Sequence, residues 1–314
     1  MDRRGGLLVV LLVLGAGWGI TQPLSKIAVS EGYRHFGLVF WQLVIGVLLL
    51  GPVVWARGRG LPRGRAQWGM CTLIAAIGTV LPNSASYQAA IYLPSGVISI
   101  LLSLVPILTF PLALAVGIDR FGWGRLAGLG CGMVAVILLI APETSLPDRA
   151  MAAFIPLALI APAFYAAEGA VVGKWGTLGL GPIQLLFGAS LVGVVMTAPL
   201  ALLTGQWIDP RPPWGAPDWA LILSSIAHIV TYCGYVWLVG QAGAVFAAQI
   251  AYVVTGAGIL WAMLILGESY SGWIWMALGV MLMGLFLVQP RREGVLVMAP
   301  VLPHDGPRPD EDPV

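Results

Sequence analysis

Ten stretches of roughly twenty residues, each nearly free of charge, follow one another along this 314-residue chain. They fall near residues 7–29, 36–56, 68–91, 94–117, 124–141, 152–173, 182–204, 218–240, 243–266 and 272–288. A hydrocarbon core about 30 Å thick is crossed by about 20 apolar residues rising 1.5 Å each. Within lipid only helices and closed barrels satisfy their own backbone groups, and runs of this length demand helices. Composition agrees: 59% of the residues are hydrophobic and 10% charged, against about 25% charged in a soluble domain. No globule of this size has enough interior to hide that many apolar side chains. The expected fold class is an all-α polytopic membrane protein with ten transmembrane helices. The first run extends past any plausible cleavage site, so it reads as a retained helix, not a signal peptide.

Most connections are short, which makes successive helices antiparallel neighbours. With the N-terminus in the cytoplasm, that side collects twelve basic residues: Arg3, Arg4, Arg57, Arg59, Arg63, Arg65, Arg120, Arg125, Lys174, Arg291, Arg292 and Arg308. The other side collects three, Arg34, Arg149 and Arg211. The positive-inside rule therefore puts both termini in the cytoplasm of a cell inner (plasma) membrane. A proline-rich, acidic tail over 291–314 is expected to be disordered.

The second half repeats the first. Gln42-Leu43 with Gly46 opens the second run as Gln184-Leu185 with Gly188 opens the seventh. Acidic turns at Asp119 and Glu268 separate the fourth run from the fifth and the ninth from the tenth. Five helices are an odd number, so the second unit must enter from the opposite face. The expected domains are two inverted five-helix repeats, 7–141 and 152–288, an arrangement that builds one midplane site with alternating access.

The paired units, each closing with a helix, an acidic turn and a glycine-rich helix, resemble the EamA-type drug/metabolite transporter superfamily. The opening Gly17-Trp18-Gly19 also looks like that family's first-helix motif. The sequence departs from the pattern in three places. Asp119 stands where glutamate is usual, Gln42 stands near a frequent arginine, and the second unit's first helix lacks the Trp-Gly pair. The resemblance implies secondary transport, with export of amino acids or related metabolites favoured.

Polar groups inside membrane spans are costly, so their positions point to function. In the first half these are Trp18 and Gln22, then Asn83 and Tyr87, then Ser99 and Ser103. Corresponding places in the second half hold Tyr165 and Glu168, then His228 and Tyr232, then Gln249 and Tyr252. Glu168, an acid within an apolar run, suits proton coupling or contact with a cationic substrate group, and is similar to the membrane glutamate of small multidrug transporters. The bland alternative is an acid close enough to the cytoplasmic end to be hydrated, or to pair with Lys174. His228 titrates near physiological pH, with a neutral packed histidine as its alternative. The tyrosines and Trp18 offer stacking faces, although a lone aromatic more often packs.

Lys26 is expected to snorkel to the headgroups, and Asp119 and Glu268 to cap the helices that follow them. Gly128, Gly130, Gly132, Gly279 and Gly284 read as close helix packing, with hinges as the alternative. Pro106 and Pro111 mark a break or a kink.

The three cysteines lie in apolar runs and no Cys/His spacing suggests zinc, so no metal or cofactor is expected. No phosphate-binding GxxxxGK[ST] occurs, which argues against direct ATP drive. Expected partners are a small-molecule substrate, the bilayer and coupling protons, with no nucleic acid, in a monomer or weak homodimer. The expected function is a secondary exporter. Multidrug or organic-cation efflux and, further off, a membrane enzyme are the alternatives.

Overall fold

A computed structural model describes residues 3–141, 145–242 and 244–288, and among them every regular element is helical. The acidic tail and its arginines lie outside the described residues. Among the described residues, eight helical stretches are long and apolar enough to cross a membrane. In chain order the elements are α1 (Arg3–Gly19), α2 (Thr21–Ser30), α3 (His35–Ala56), α4 (Arg65–Ala75), α5 (Leu81–Tyr92), α6 (Ser95–Leu102) and α7 (Val105–Ala115). There follow α8 (Trp123–Ile140), α9 (Ile155–Trp175), α10 (Pro182–Leu203), α11 (Ala216–Ala242), α12 (Ala244–Ala247), α13 (Ile250–Leu266) and α14 (Gly272–Val288). The shorter apolar helices α13 and α14 have 17 residues each, about 25 Å at 1.5 Å per residue.

Several spans are interrupted, each for a local reason. Ile20 divides α1 from α2 just after Gly19, where a Cβ would stand 2.8 Å from the Gly258 nitrogen. A π-helical turn over Ala76–Val80 joins α4 to α5, an irregularity common at functional sites. The fourth span is broken, not merely kinked. The Ser103 and Leu104 amides turn back to Ile100 and Leu101, and α7 restarts with Pro106 in its first turn, where a missing N–H costs nothing. The span near the C-terminal end breaks similarly between α12 and α13, at Ala248 and Gln249.

Glycines set how closely the helices pack. A Cβ on Gly284 would meet the Gly128 carbonyl at 2.9 Å and Cys131 Cβ at 3.0 Å, so α14 and α8 cross backbone to backbone. Gly132 presses on Leu104 and Ile107 in the same way, whereas Gly130 and Gly279 face open space. Gly284→Ala is therefore expected to destabilise by about 1–3 kcal/mol through overpacking. Gly279→Ala should be neutral or slightly stabilising, because helical glycine costs about 1 kcal/mol relative to alanine. Thermal unfolding in detergent, followed by a thiol-reactive dye on the free cysteines, distinguishes the two; equal melting temperatures contradict the packing account.

Candidate functional site

The polar side chains of α3, α5 and α9 meet in one hydrogen-bonded row. Tyr165 donates its hydroxyl proton to Asn83 Oδ1. Asn83 Nδ2 donates in turn to Gln42 Oε1 over 3.1 Å, and the Tyr87 hydroxyl reaches the same oxygen over 3.2 Å. Tyr87 is buried and also lies beside Ser25 of α2 and Ser224 of α11. Glu168 stands one turn beyond Tyr165 on the same face of α9, and its carboxylate fills the space a side chain at Gly78 would need. The π-helical turn and its glycine thus open room for an acid among the helices. Glu168 makes no hydrogen bond or ion pair among the described residues, and it keeps accessible surface.

A second group forms between α1 and α11. The Trp18 indole N–H donates to His228 Nδ1 over 3.0 Å, with the rings edge to face. A ring nitrogen that accepts carries no proton, so neutral His228 holds its proton on Nε2. The glycines flanking Trp18 bring it there. Gly17 lies against Thr231 of α11 and Gly19 against Gly258 of α13, so any larger residue would push the indole away. Tyr235 tilts against Trp18 with centroids 5.9 Å apart. Tyr232 stands one turn beyond His228 on the same helix, α11.

Of the residues singled out from sequence, Asn83, Tyr87, Tyr165 and Glu168 lie in or beside the row, and Trp18, His228 and Tyr232 in the second group. The others make different contacts. Gln22 bonds its neighbour Thr21. Ser99 and Ser103 return their hydroxyl protons to carbonyls of their own helix, and Ser99 packs on Gly258. Gln249 precedes α13 without a side-chain capping bond, and the buried Tyr252 hydroxyl has no partner among the described residues. Gln42, the hub of the row, was legible only as the one amide in the otherwise apolar 36–56 run.

Three charged residues depart from expectation. Lys26 does not reach for headgroups; its ammonium donates to the Ala90, Ile91 and Leu93 carbonyls over 2.6, 3.2 and 3.1 Å, closing the C-terminal end of α5. Glu268 does not cap the helix after it. It accepts from the Ser95 and Gly96 amides at 2.8 and 3.3 Å, the start of α6, and from the Tyr270 hydroxyl at 2.5 Å. A cation at a helix C-terminus and an anion at the next N-terminus both complement the backbone dipoles, so the turn at Leu93-Pro94 is clasped from both sides. Asp119 pairs with Arg125 and accepts from the Arg120 amide, while α8 begins at Gly122 without a side-chain cap. Lys174, which the bland reading paired with Glu168, lies over the Trp175 ring instead.

Outside the spans, Tyr33 donates to Asp218 over 2.6 Å. Burial and then that carboxylate push its hydroxyl up to about 12, so it stays a neutral donor at physiological pH. Two clefts of about 280 and 320 Å³ lie at the basic face, between residues 57–63 and the start of α10, away from Glu168. No group of three or more potential metal ligands occurs among the described residues.

The EamA-like transporter family matches twice, over residues 4–141 and 153–289. An "Uncharacterized inner membrane transporter YedA" of Escherichia coli K12 is 25% identical over 290 residues, covering 90% of this chain and 89% of its own. Its counterpart in Escherichia coli O157:H7 matches equally. A solved crystal structure, 14% identical, shares the fold with a TM-score of 0.59 over 90% of this chain and 97% of its own. With most of its length matched in two consecutive segments, this multi-pass membrane protein belongs to the EamA-like transporter family.

Proposed function

We propose that this protein is a secondary active transporter that exports a small amine-bearing metabolite, such as an amino acid, by alternating access and in exchange for protons. The observation that carries this reading is Glu168, a carboxylate among apolar helices with no partner among the described residues. A group so placed is costly unless something cationic visits it. Tyr165, having committed its proton to Asn83, offers only lone pairs beside it. The two together favour a ligand made of donors: a protonated amine, or a proton. Organic-cation efflux is the second reading, favoured by the aromatic rings of Trp18, Tyr232 and Tyr235, since cations also bind ring faces.

Helix pairing supports ten spans in two inverted repeats. The second span of each half packs on its counterpart, α3 on α10, and the fifth likewise, α8 on α14. The first span of the first half, α1 with α2, packs against α13 and α11; the first span of the second half, α9, packs against α7 and α5. Exchanging the halves maps one set of contacts onto the other, as a two-fold axis in the membrane plane requires. The relative's inner-membrane location and the clustering of arginines on the α1 side support cytoplasmic termini.

Purified protein in closed vesicles should accumulate such a solute, chemically unchanged, when a pH gradient is imposed. Recovery of an altered product would turn the reading toward an enzyme.

A further inference from the structure

Hydrogen bonds have direction, and the row through Asn83 leaves particular atoms free. An amide oxygen has two lone pairs, and those of Gln42 are both taken, by Asn83 and Tyr87. Its amide nitrogen, with two N–H groups, bonds nothing among the described residues. Nor is it sealed off: the buried side-chain polar atoms without a partner among the described residues are the hydroxyls of Ser84, Ser95 and Tyr252 and do not include it, and Gln42 is half-buried. At the far end of the row, Tyr165 and Glu168 present acceptors. The row therefore runs from free donors on α3 to free acceptors on α9, with Asn83 fixing its sense.

Resting on the amine site assigned above to Glu168, we infer that Gln42 determines specificity: its amide N–H groups hold the carboxylate of a substrate whose ammonium sits at Glu168. The site then selects zwitterionic amino compounds over the plain amines that share their side chains. Gln42 supplies donors without a charge, so it recognises a carboxylate without competing for Glu168. A plain amine leaves those donors unpaired, which lowers its affinity by about ten- to hundredfold, the range for one unsatisfied donor.

The test uses the full-length protein in detergent and a panel of amino acids, each paired with its decarboxylated amine, read by thermal shift and then by titration. Wild type should favour the amino acid of a binding pair by at least about tenfold. Gln42→Glu keeps oxygens to accept from Asn83 and Tyr87 but replaces the free donors with an acceptor. It should bring that preference to unity or below, because the added carboxylate repels the substrate's own. Gln42→Met, which only removes the donors, gives a second reading should Gln42→Glu fail to fold, and should equalise the pair. A wild-type preference for the amine, or a preference for the amino acid that survives both substitutions, overturns the inference and leaves the Glu168 site standing. If no pair binds wild type, or if Glu168→Gln binds both members as wild type does, the amine site itself falls, and this inference with it.

Discussion

Glu168→Gln is expected to abolish solute accumulation driven by a pH gradient and to weaken binding of an amine-bearing substrate by about ten- to hundredfold. The magnitude follows from replacing a charge-assisted hydrogen bond, worth about 1.5–3 kcal/mol, by a neutral one. Glutamine has nearly the same shape, so it fits against Gly78 as the glutamate does. Because Glu168 has no hydrogen bond or ion pair among the described residues, its replacement breaks nothing in the row through Asn83 and should leave the melting temperature unchanged or slightly raised. Loss of function with retained stability separates a coupling role from a structural one. Uptake into proteoliposomes with and without an imposed gradient measures it, and unchanged gradient-driven uptake removes Glu168 from the mechanism.

The largest effect on stability is expected at the opposite end of the architecture, in the clasp around Leu93-Pro94. Glu268→Ala orphans the amides of Ser95 and Gly96 and the Tyr270 hydroxyl. Ser95 is fully buried, so water cannot replace the lost partner. A helix cap is worth about 0.5–2 kcal/mol and a hydrogen bond to a charged group about 1.5–3; since these overlap, the expected loss is about 2–4 kcal/mol. Glu268→Gln keeps an acceptor and should lose about half as much. Lys26→Met, which frees the carbonyls at the end of α5, should destabilise by a comparable amount. If the two half-buried charges support each other as well as their helix ends, the double variant loses less than the sum of the singles. Dye-monitored melting in detergent reads all three, and a Glu268→Ala protein as stable as wild type would dismiss the clasp as a surface contact.

Run length and composition made the helical membrane fold legible, because about twenty uncharged residues have few other solutions in lipid. Prolines stand at three of the interruptions: Pro106 pointed to the break before α7, while Pro23 and Pro82, which have no N–H to return to Gly19 and Gly78, lie just past the break at Ile20 and the π-helical turn at Ala76–Val80. Among site residues, the cost of a polar group in a span drew attention to Glu168, Asn83 and His228. The same reasoning selected Ser99 and Ser103, whose hydroxyls bond back to carbonyls of their own helix. It did not show that Gln42 is a hub, since its partners lie 41 and 45 residues away. Lys26 and Glu268 were the least legible. Each serves a helix end 64 or more residues distant, and only the packed tertiary structure shows which end that is.

The central claim is that Glu168 exchanges a proton for the substrate's ammonium group. It is tested most directly by proton release on mixing substrate with detergent-purified protein in weak buffer, across a range of pH. Wild type is expected to release up to one proton per substrate bound in a pH-dependent window, and Glu168→Gln to release none at any pH. Release that persists in the variant, or substrate binding by wild type with no release anywhere in the range, would contradict it.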